Sequence, residues 1–182
     1  MGLSDSARSV LRHADAHAAR LGLTRLVCID GPSGSGKTSL AAAISAERPD
    51  AVVLPTDAML EGWGGLPGLG ESLATVMAPL RQGRPGRWRE WDWYASAWAR
   101  WHRIEPGPML VVEGVGAAAA AIDPLITTSV WVQAPSAVRV ERAVARDGEA
   151  MRPALERWAV EQDALHLREN TLARADVVIS RN

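Results

Sequence analysis

The sequence predicts an α/β fold, a doubly wound five-stranded parallel sheet with helices on both faces and a short lid. Three observations carry that expectation. Five short apolar runs, at Leu26 to Ile29, Ala51 to Leu54, Met109 to Val112, Ser129 to Gln133 and Ala175 to Ile179, are separated by stretches with helical spacing. Each run is apolar throughout instead of alternating, the pattern of strands buried on both faces. The first run passes through glycines directly into a helical stretch, as a strand does when it feeds a ligand loop.

That junction reads LVCIDGPSGSGKTSL, and Gly31 to Thr38 match G-x-x-x-x-G-K-T, the phosphate-binding P-loop pattern. The glycines let the backbone bend with its N–H groups pointing inward, and the following helix adds the positive end of its dipole. This gives the fold class its full form, a P-loop NTPase. Gly31, Ser33, Gly34, Ser35, Gly36, Lys37, Thr38 and Ser39 are the expected contacts to the phosphates of ATP. Lys37 reaches the β/γ-phosphates, and the Thr38 hydroxyl holds Mg²⁺. Composition agrees: the chain has 20 lysines plus arginines, and Lys37 is the only lysine. A compact ammonium fits between phosphates where a planar guanidinium does not.

Composition also narrows the function classes. A length of 182 residues with 47% hydrophobic content suits one domain with a full core. A net charge of −1 gives no reason to expect nucleic acid or a charged membrane as partner. The single Cys28 sits inside the first apolar run, reads as a buried strand residue and permits no internal disulfide. With no secretory signal or spanning run in view, the expected location is the cytoplasm, and whether the chain forms a homo-oligomer stays open.

Along the chain, Leu3 to Leu21 has the spacing of an amphipathic helix, with Ser4 as its expected N-cap. His13 and His17, one turn apart, read as a solvated face. The P-loop helix runs from Gly36 to about Ala46, and the second strand leads into Pro55-Thr56-Asp57. A glycine-rich loop, Gly62 to Gly70, precedes a helix at Glu71 to Gln82 closed by Gly83. Then RPGRWREWDWYASAWARWH holds Trp88, Trp91, Trp93, Trp98 and Trp101, five of the eight tryptophans. They read either as a platform for a flat acceptor or as the core of an acceptor-side insertion over residues 58–108. A helix starts at Pro135-Ser136, Gly148 and Pro153 bracket a break, and a long helix is expected to about Arg174. His102 and His166 show no partners in the sequence.

In such a sheet every strand points the same way, so residues just past the carboxyl ends emerge on one edge. Gly31, Asp57 and Glu113 follow the first three strands and are expected to face one crevice. Asp57 is the candidate group that accepts or orients the proton of an attacking hydroxyl, and Glu113 a candidate outer-sphere ligand of Mg²⁺. Either could instead serve structure, as a helix cap or a strand-end acceptor. Arg139, Arg142 and Arg146 share a helical face, and Arg152 lies beyond the break at Gly148. Arg142, Arg146 and Arg152 are the cations expected to close over the transferred phosphoryl group, with residues 147–153 as the lid.

With these residues in place, the chain resembles the uridine kinase-like branch of the P-loop nucleoside and nucleoside-monophosphate kinases over about Arg25 to Ile179. The matching segments are IDGPSGSGKTSLA, TDAML, WDWYASAW, LVVEG, RVERAVARD and ADVVIS. The resemblance implies phosphoryl transfer from ATP to a hydroxyl of a small-molecule acceptor. TDAML is similar to the family's acceptor-activating Asp, and WDWYASAW to a Tyr-Asp-Phe segment lining the nucleoside, which implicates Trp91, Asp92 and Trp93 in acceptor binding. The chain departs from the family at Trp91 and Ser96, and its lid lacks an Arg-Gly-Arg turn. The opening IDGPSGSGKT is equally similar to cytidylate kinases, so a nucleoside-monophosphate acceptor remains an alternative. An NTP hydrolase and a nucleotide-binding regulatory module are the alternatives of another class.

Overall fold

The computed structural model describes residues 2–181. In chain order the elements are α1 (Leu3–Ala16), β1 (Arg25–Asp30), α2 (Lys37–Glu47), β2 (Ala51–Pro55), α3 (Leu69–Arg81), β3 (Gly86–Asp92), β4 (Ala97–Ile104), β5 (Met109–Glu113), β6 (Thr128–Gln133), α4 (Ser136–Asp147), α5 (Arg152–Glu169) and β7 (Val177–Ser180). Five of the strands form one sheet in the order β2-β5-β1-β6-β7, with every pair parallel. The predicted α/β class and the strand count of the main sheet therefore hold. β3 and β4 make a separate antiparallel hairpin.

The sheet buries both faces, and successive residues of one strand serve opposite cores. Val27 and Ile29 pack with Met109, Val111, Val130 and Val132 against α1 and α2, while Leu26 and Cys28 pack with Leu110 and Val112 against α3 and α5. This is why the strands read as continuous apolar runs. Cys28 lies fully buried, and burial pushes its thiol well above the ordinary range. No helix among the described residues is long and apolar enough to cross a membrane.

Several boundaries move, each for a local reason. The first helix ends at Ala16, not Leu21, because the chain turns at Gly22 with φ of 62° and bridges Leu21 to Thr24. Its N-cap is Gly2, and Ser4 lies inside the helix. The last helix stops at Glu169, not near Arg174, because Asn170 adopts a left-handed conformation, which asparagine tolerates better than most residues. Arg174 then reaches back, donating to the carbonyls of Glu169 and Ala118 and pairing with Asp123.

The tryptophan segment is the hairpin, which the sequence reading did not assign. A register shift between Arg89 and Trp91 breaks its period-two pattern, so the tryptophan spacing does not read as a strand. Asp92 caps the turn by accepting from the amides of Tyr94 and Ala95 at 2.8 and 2.9 Å. Ser96 occupies the left-handed position of that turn.

Beyond β5 the chain must pass close to the end of β2. Gly114 has φ of 139°, and a Cβ there would lie 1.9 Å from Thr56 Oγ1. Thr56 cannot yield, since its amide donates to Glu113 O at 2.8 Å and its hydroxyl donates to Val115 O at 3.1 Å. We expect Gly114→Ala to cost about 2 kcal/mol or more, lowering the melting temperature by roughly 4–8 °C. Gly68→Ala, with φ of −88° and no atom near its added Cβ, should stay within about 0.5 kcal/mol of wild type in the same thermal melts.

Candidate functional site

The site begins where β1 stops. Asp30 is almost fully buried, and Oδ1 accepts from the amides of Gly31 at 2.7 Å and Gly116 at 3.0 Å, while Oδ2 accepts from Ala118 N at 2.9 Å. The chain then turns through Gly31, Gly34 and Gly36, all at positive φ. Gly31 is compulsory: a Cβ there would lie 2.1 Å from Val132 O. Lys37 opens α2, buried at 8% exposure, and its Nζ donates to Gly31 O at 2.7 Å and Pro32 O at 3.1 Å. The loop thus closes around its own ammonium.

Two acids from neighbouring strands face this ammonium. Glu113, at the end of β5, is buried at 6% exposure, and its two carboxylate oxygens accept from Thr38 Oγ1 at 3.2 and 3.3 Å. Asp57, just past β2 in a 3-10 turn, is exposed. Burial pushes the Lys37 amine down to about 8, against the pull of Asp30, Glu113 and Asp57, while Arg146 pushes it further down. Burial also raises the Glu113 carboxyl, with Lys37 opposing and Asp57 adding to the shift. The guanidinium of Arg146 is bidentate on Asp147 at 2.7 Å, and it also feels Asp57 and Glu113. The carboxyl ends of β1, β2 and β5 therefore open onto one hollow, as the strand order requires.

The residues fit a polyphosphate and a divalent cation. Ser35 Oγ is fully buried and has no hydrogen-bond partner among the described residues, so a polar group aimed into the loop would satisfy it. Thr38 and Ser39 occupy the exposed first turn of α2, at the positive end of its dipole. The Thr38 hydroxyl and the Glu113 carboxylate form a pair of hard oxygen donors. Hard oxygen donors of this kind suit Mg²⁺, which is usually bound through one or two protein oxygens.

The remaining expected residues divide. Arg142 lies by the P-loop, with Nη1 donating to Gly34 O at 3.4 Å. Arg152 pairs with Glu149, and the other charges acting on it are Glu141 on α4 and Glu156 on α5. Trp93 borders the site, donating from Nε1 to Asp57 O at 3.1 Å. Trp91 packs edge-on against Trp98 at 5.2 Å across the hairpin. Asp92 Oδ1 accepts from the amides of the hairpin turn, a structural role for that oxygen. Of the hairpin tryptophans, Trp88 packs against the main core, and Trp101 stays 59% exposed beneath Arg87.

Other residues reach the site without a sequence signal. Trp63 makes edge contacts with Trp93 at 5.4 Å and Trp158 at 5.8 Å, an aromatic series running from the hairpin to α5. Trp158 Nε1 donates to Ser33 Oγ at 3.0 Å. The Arg181 side chain approaches Gly36 from beyond β7, within 3.8 Å of where a Cβ would sit. Each depends on contacts between distant segments, which one sequence does not display. The histidines all find partners: His13 Nδ1 meets Thr128 Oγ1, His102 Nε2 meets Glu90 and stacks on Trp88, and His166 Nε2 meets Asp30.

The depressed Lys37 amine has a measurable consequence. Its folded form holds the proton less tightly than the unfolded chain, so unfolding takes up a proton between about pH 8 and 10.5. The cost of burying Lys37 is full below that window and fades as pH rises through it. Urea denaturation near pH 7 and pH 10 should show wild type gaining on Lys37→Met by on the order of 2 kcal/mol.

No family model matches this sequence, and no curated sequence relative is found. Solved structures do match its fold. A possible uridine kinase from Bacillus stearothermophilus aligns with a TM-score of 0.66 and 19% identity, covering 98% of this chain and 100% of that one. A candidate fructose transport system kinase from Silicibacter sp. TM1040 aligns with a TM-score of 0.61 and 21% identity, covering 98% of each chain. An uncharacterized protein from Eubacterium ventriosum aligns with a TM-score of 0.51 and 12% identity over 86% of this chain and 88% of that one. At these identities the likeness concerns the fold, and the chain shares the α/β fold of these structures.

Proposed function

We propose that this protein is a kinase that transfers the γ-phosphoryl group of ATP, with Mg²⁺, to a hydroxyl of a small, nucleoside-like or other metabolite. One observation carries the reading: Lys37, buried in the P-loop, shares its hollow with Glu113 and Asp57 from the two adjacent strands. Phosphoryl transfer asks a protein for positioning and charge neutralisation more than for covalent chemistry. This hollow supplies both.

The amides of Gly34 to Thr38 and the Lys37 ammonium hold the β- and γ-phosphates, and Lys37 exchanges its two carbonyl partners for phosphate oxygens. Thr38 and Glu113 would hold Mg²⁺, which would supply positive charge to offset that of the phosphates. Asp57 accepts the proton of the acceptor hydroxyl as its oxygen bonds to the γ-phosphorus and the bond to the bridging oxygen of ADP breaks. Exposure suits Asp57 to this role, since an acceptor must arrive from solvent. Arg146 and Arg142, on the α4 helix that leads into the lid, supply cations over the departing phosphate. Trp93, fixed by its bond to the Asp57 carbonyl, places an aromatic wall beside the attacking hydroxyl. A hydrolase would need a group to hold water, and Gly114 to Ala117 offer no second acid after Glu113.

ADP release measured over a panel of nucleosides, nucleoside monophosphates, vitamin precursors and sugar acids tests the reading. Turnover that requires one of these acceptors is expected; turnover without any acceptor would indicate a hydrolase, and tight ATP binding without turnover a regulatory module. With an active acceptor in hand, Lys37→Ala should weaken ATP binding about 10- to 100-fold. Asp57→Asn should lower kcat by about 10²- to 10⁴-fold while ATP affinity stays near wild type. Full activity in Asp57→Asn would remove the proposed base.

Removing the metal offers a separate check. EDTA should abolish turnover and added Mg²⁺ should restore it. Glu113→Gln should raise the Mg²⁺ concentration needed for half-maximal rate by about tenfold.

A further inference from the structure

Along α5, Trp158, Gln162 and His166 stand at i, i+4 and i+8, one stripe of the helix. All three bond to the stem of the P-loop. Trp158 Nε1 donates to Ser33 Oγ at 3.0 Å, Ser33 N donates to Gln162 Oε1 at 2.9 Å, and His166 Nε2 meets Asp30 Oδ1 at 3.0 Å. Gln162 is 1% exposed, and the other two are also buried. Helix packing alone needs apolar contacts, and burying three polar groups on one stripe is costly unless each is matched. Here each is matched by the same short stretch of chain.

The contact to Ser33 also decides what the loop offers. With its amide turned to Gln162, Ser33 is a post beside the cradle and not part of it. The next residue, Gly34, is gripped by the other lid helix: Arg139 O lies 2.3 Å from where a Cβ on Gly34 would sit, and Arg142 Nη1 donates to Gly34 O. Adjacent loop residues are thus held by α5 and α4, the two helices joined by the turn at Gly148–Met151. Between those helices lies a cavity of about 150 Å³, lined by Val140, Ala143, Leu155 and Ala159 together with Ser33 and Gln162. It is a half-open groove, not a closed void, and it leaves the helices room to approach each other.

We propose that Gln162 is a positioning residue that couples the lid to the P-loop. Closure of α4 onto α5 moves Ser33 relative to Gly34, and a ligand that fixes the loop in turn fixes the lid. This rests on the nucleotide-binding reading above, and it adds the route by which the loop and the lid communicate. Trp158 and His166 anchor the same helix on either side of Gln162.

Hydrogen exchange of the lid together with the α4 helix that leads into it, residues 138–152, tests it with and without ADP. Gln162→Met keeps the side-chain length but removes the acceptor for Ser33 N, and Gln162→Glu restores one. Without ligand, Gln162→Met should exchange about tenfold faster across the lid, with α1 and β1 unchanged, and Gln162→Glu should return it toward wild type. With ADP, the lid should be protected in wild type and in Gln162→Glu but not in Gln162→Met. Lid exchange in Gln162→Met equal to wild type in both conditions would overturn the coupling. An ADP-insensitive wild-type lid would count against the nucleotide reading, while the ligand-free comparison would still decide the coupling. Should Gln162→Met fail to fold, Trp158→Phe, which removes the indole donor to Ser33 and trims the ring that meets Trp63, carries the same comparison with the same outcomes.

Discussion

The arrangement depends on one buried carboxylate. Asp30 ends β1 and is 1% exposed, in a place where an unpaired charge would cost several kcal/mol. It is stabilised by three amides and an imidazole drawn from three parts of the chain: Gly31 at the mouth of the P-loop, Gly116 and Ala118 in the loop after β5, and His166 on α5. Satisfying Asp30 therefore requires those segments to meet. The start of the P-loop, the path of the chain beyond Glu113 and the seat of α5 are all fixed at that point, and the two acids of the hollow take their positions from it.

Lys37 shows how the loop keeps its shape. Its ammonium is buried, and two loop carbonyls accept from it. The depressed pKa measures what this burial costs, and Asp30, Glu113 and Asp57 each offset part of it. A methionine would fill the same space without that penalty. On the proposed reading, the expense falls at the one position where anion binding would return it.

Much of this was legible in the sequence, and the reasons separate the legible from the hidden. The five buried strands could be read because a sheet covered on both faces demands unbroken apolar runs, and the P-loop because its glycines sit where φ must be positive. The convergence of Asp57 and Glu113 followed from strand direction alone. The hairpin was hidden because its bulge at Arg89 to Trp91 breaks the alternation that would have marked it. The end of α5 was missed because Asn170 breaks the helix by adopting a left-handed conformation, while the residues after it still look helical. The pairing of Arg152 with Glu149 was not legible, because spacing gives a helix face but not which acids that face will meet. Trp63, Gln162 and Arg181 gave no signal, since each acts through residues far away in the chain.

On the proposed kinase reading the hollow has a donor side and an acceptor side, and their different construction bears on what each would recognise. On the donor side, glycine-enforced turns and buried hydrogen bonds fix the loop, so any ligand there must match a rigid set of amides and one ammonium. On the acceptor side, the wall consists of Trp93 and Trp63, joined edge to face and 40% and 37% exposed, on a hairpin and a 3-10 turn outside the main sheet. Edge-to-face pairs leave aromatic surface available to a ligand and hold their geometry loosely, at about 0.5–1.5 kcal/mol per pair. Phosphate chemistry tolerates little displacement along the line of transfer, whereas an acceptor needs only to bring one hydroxyl to Asp57. A fold that spends its rigidity on the phosphates and leaves the opposite wall to tryptophans on secondary elements can change its acceptor by altering that wall, without disturbing the carboxylate at the end of β1 that holds the site together.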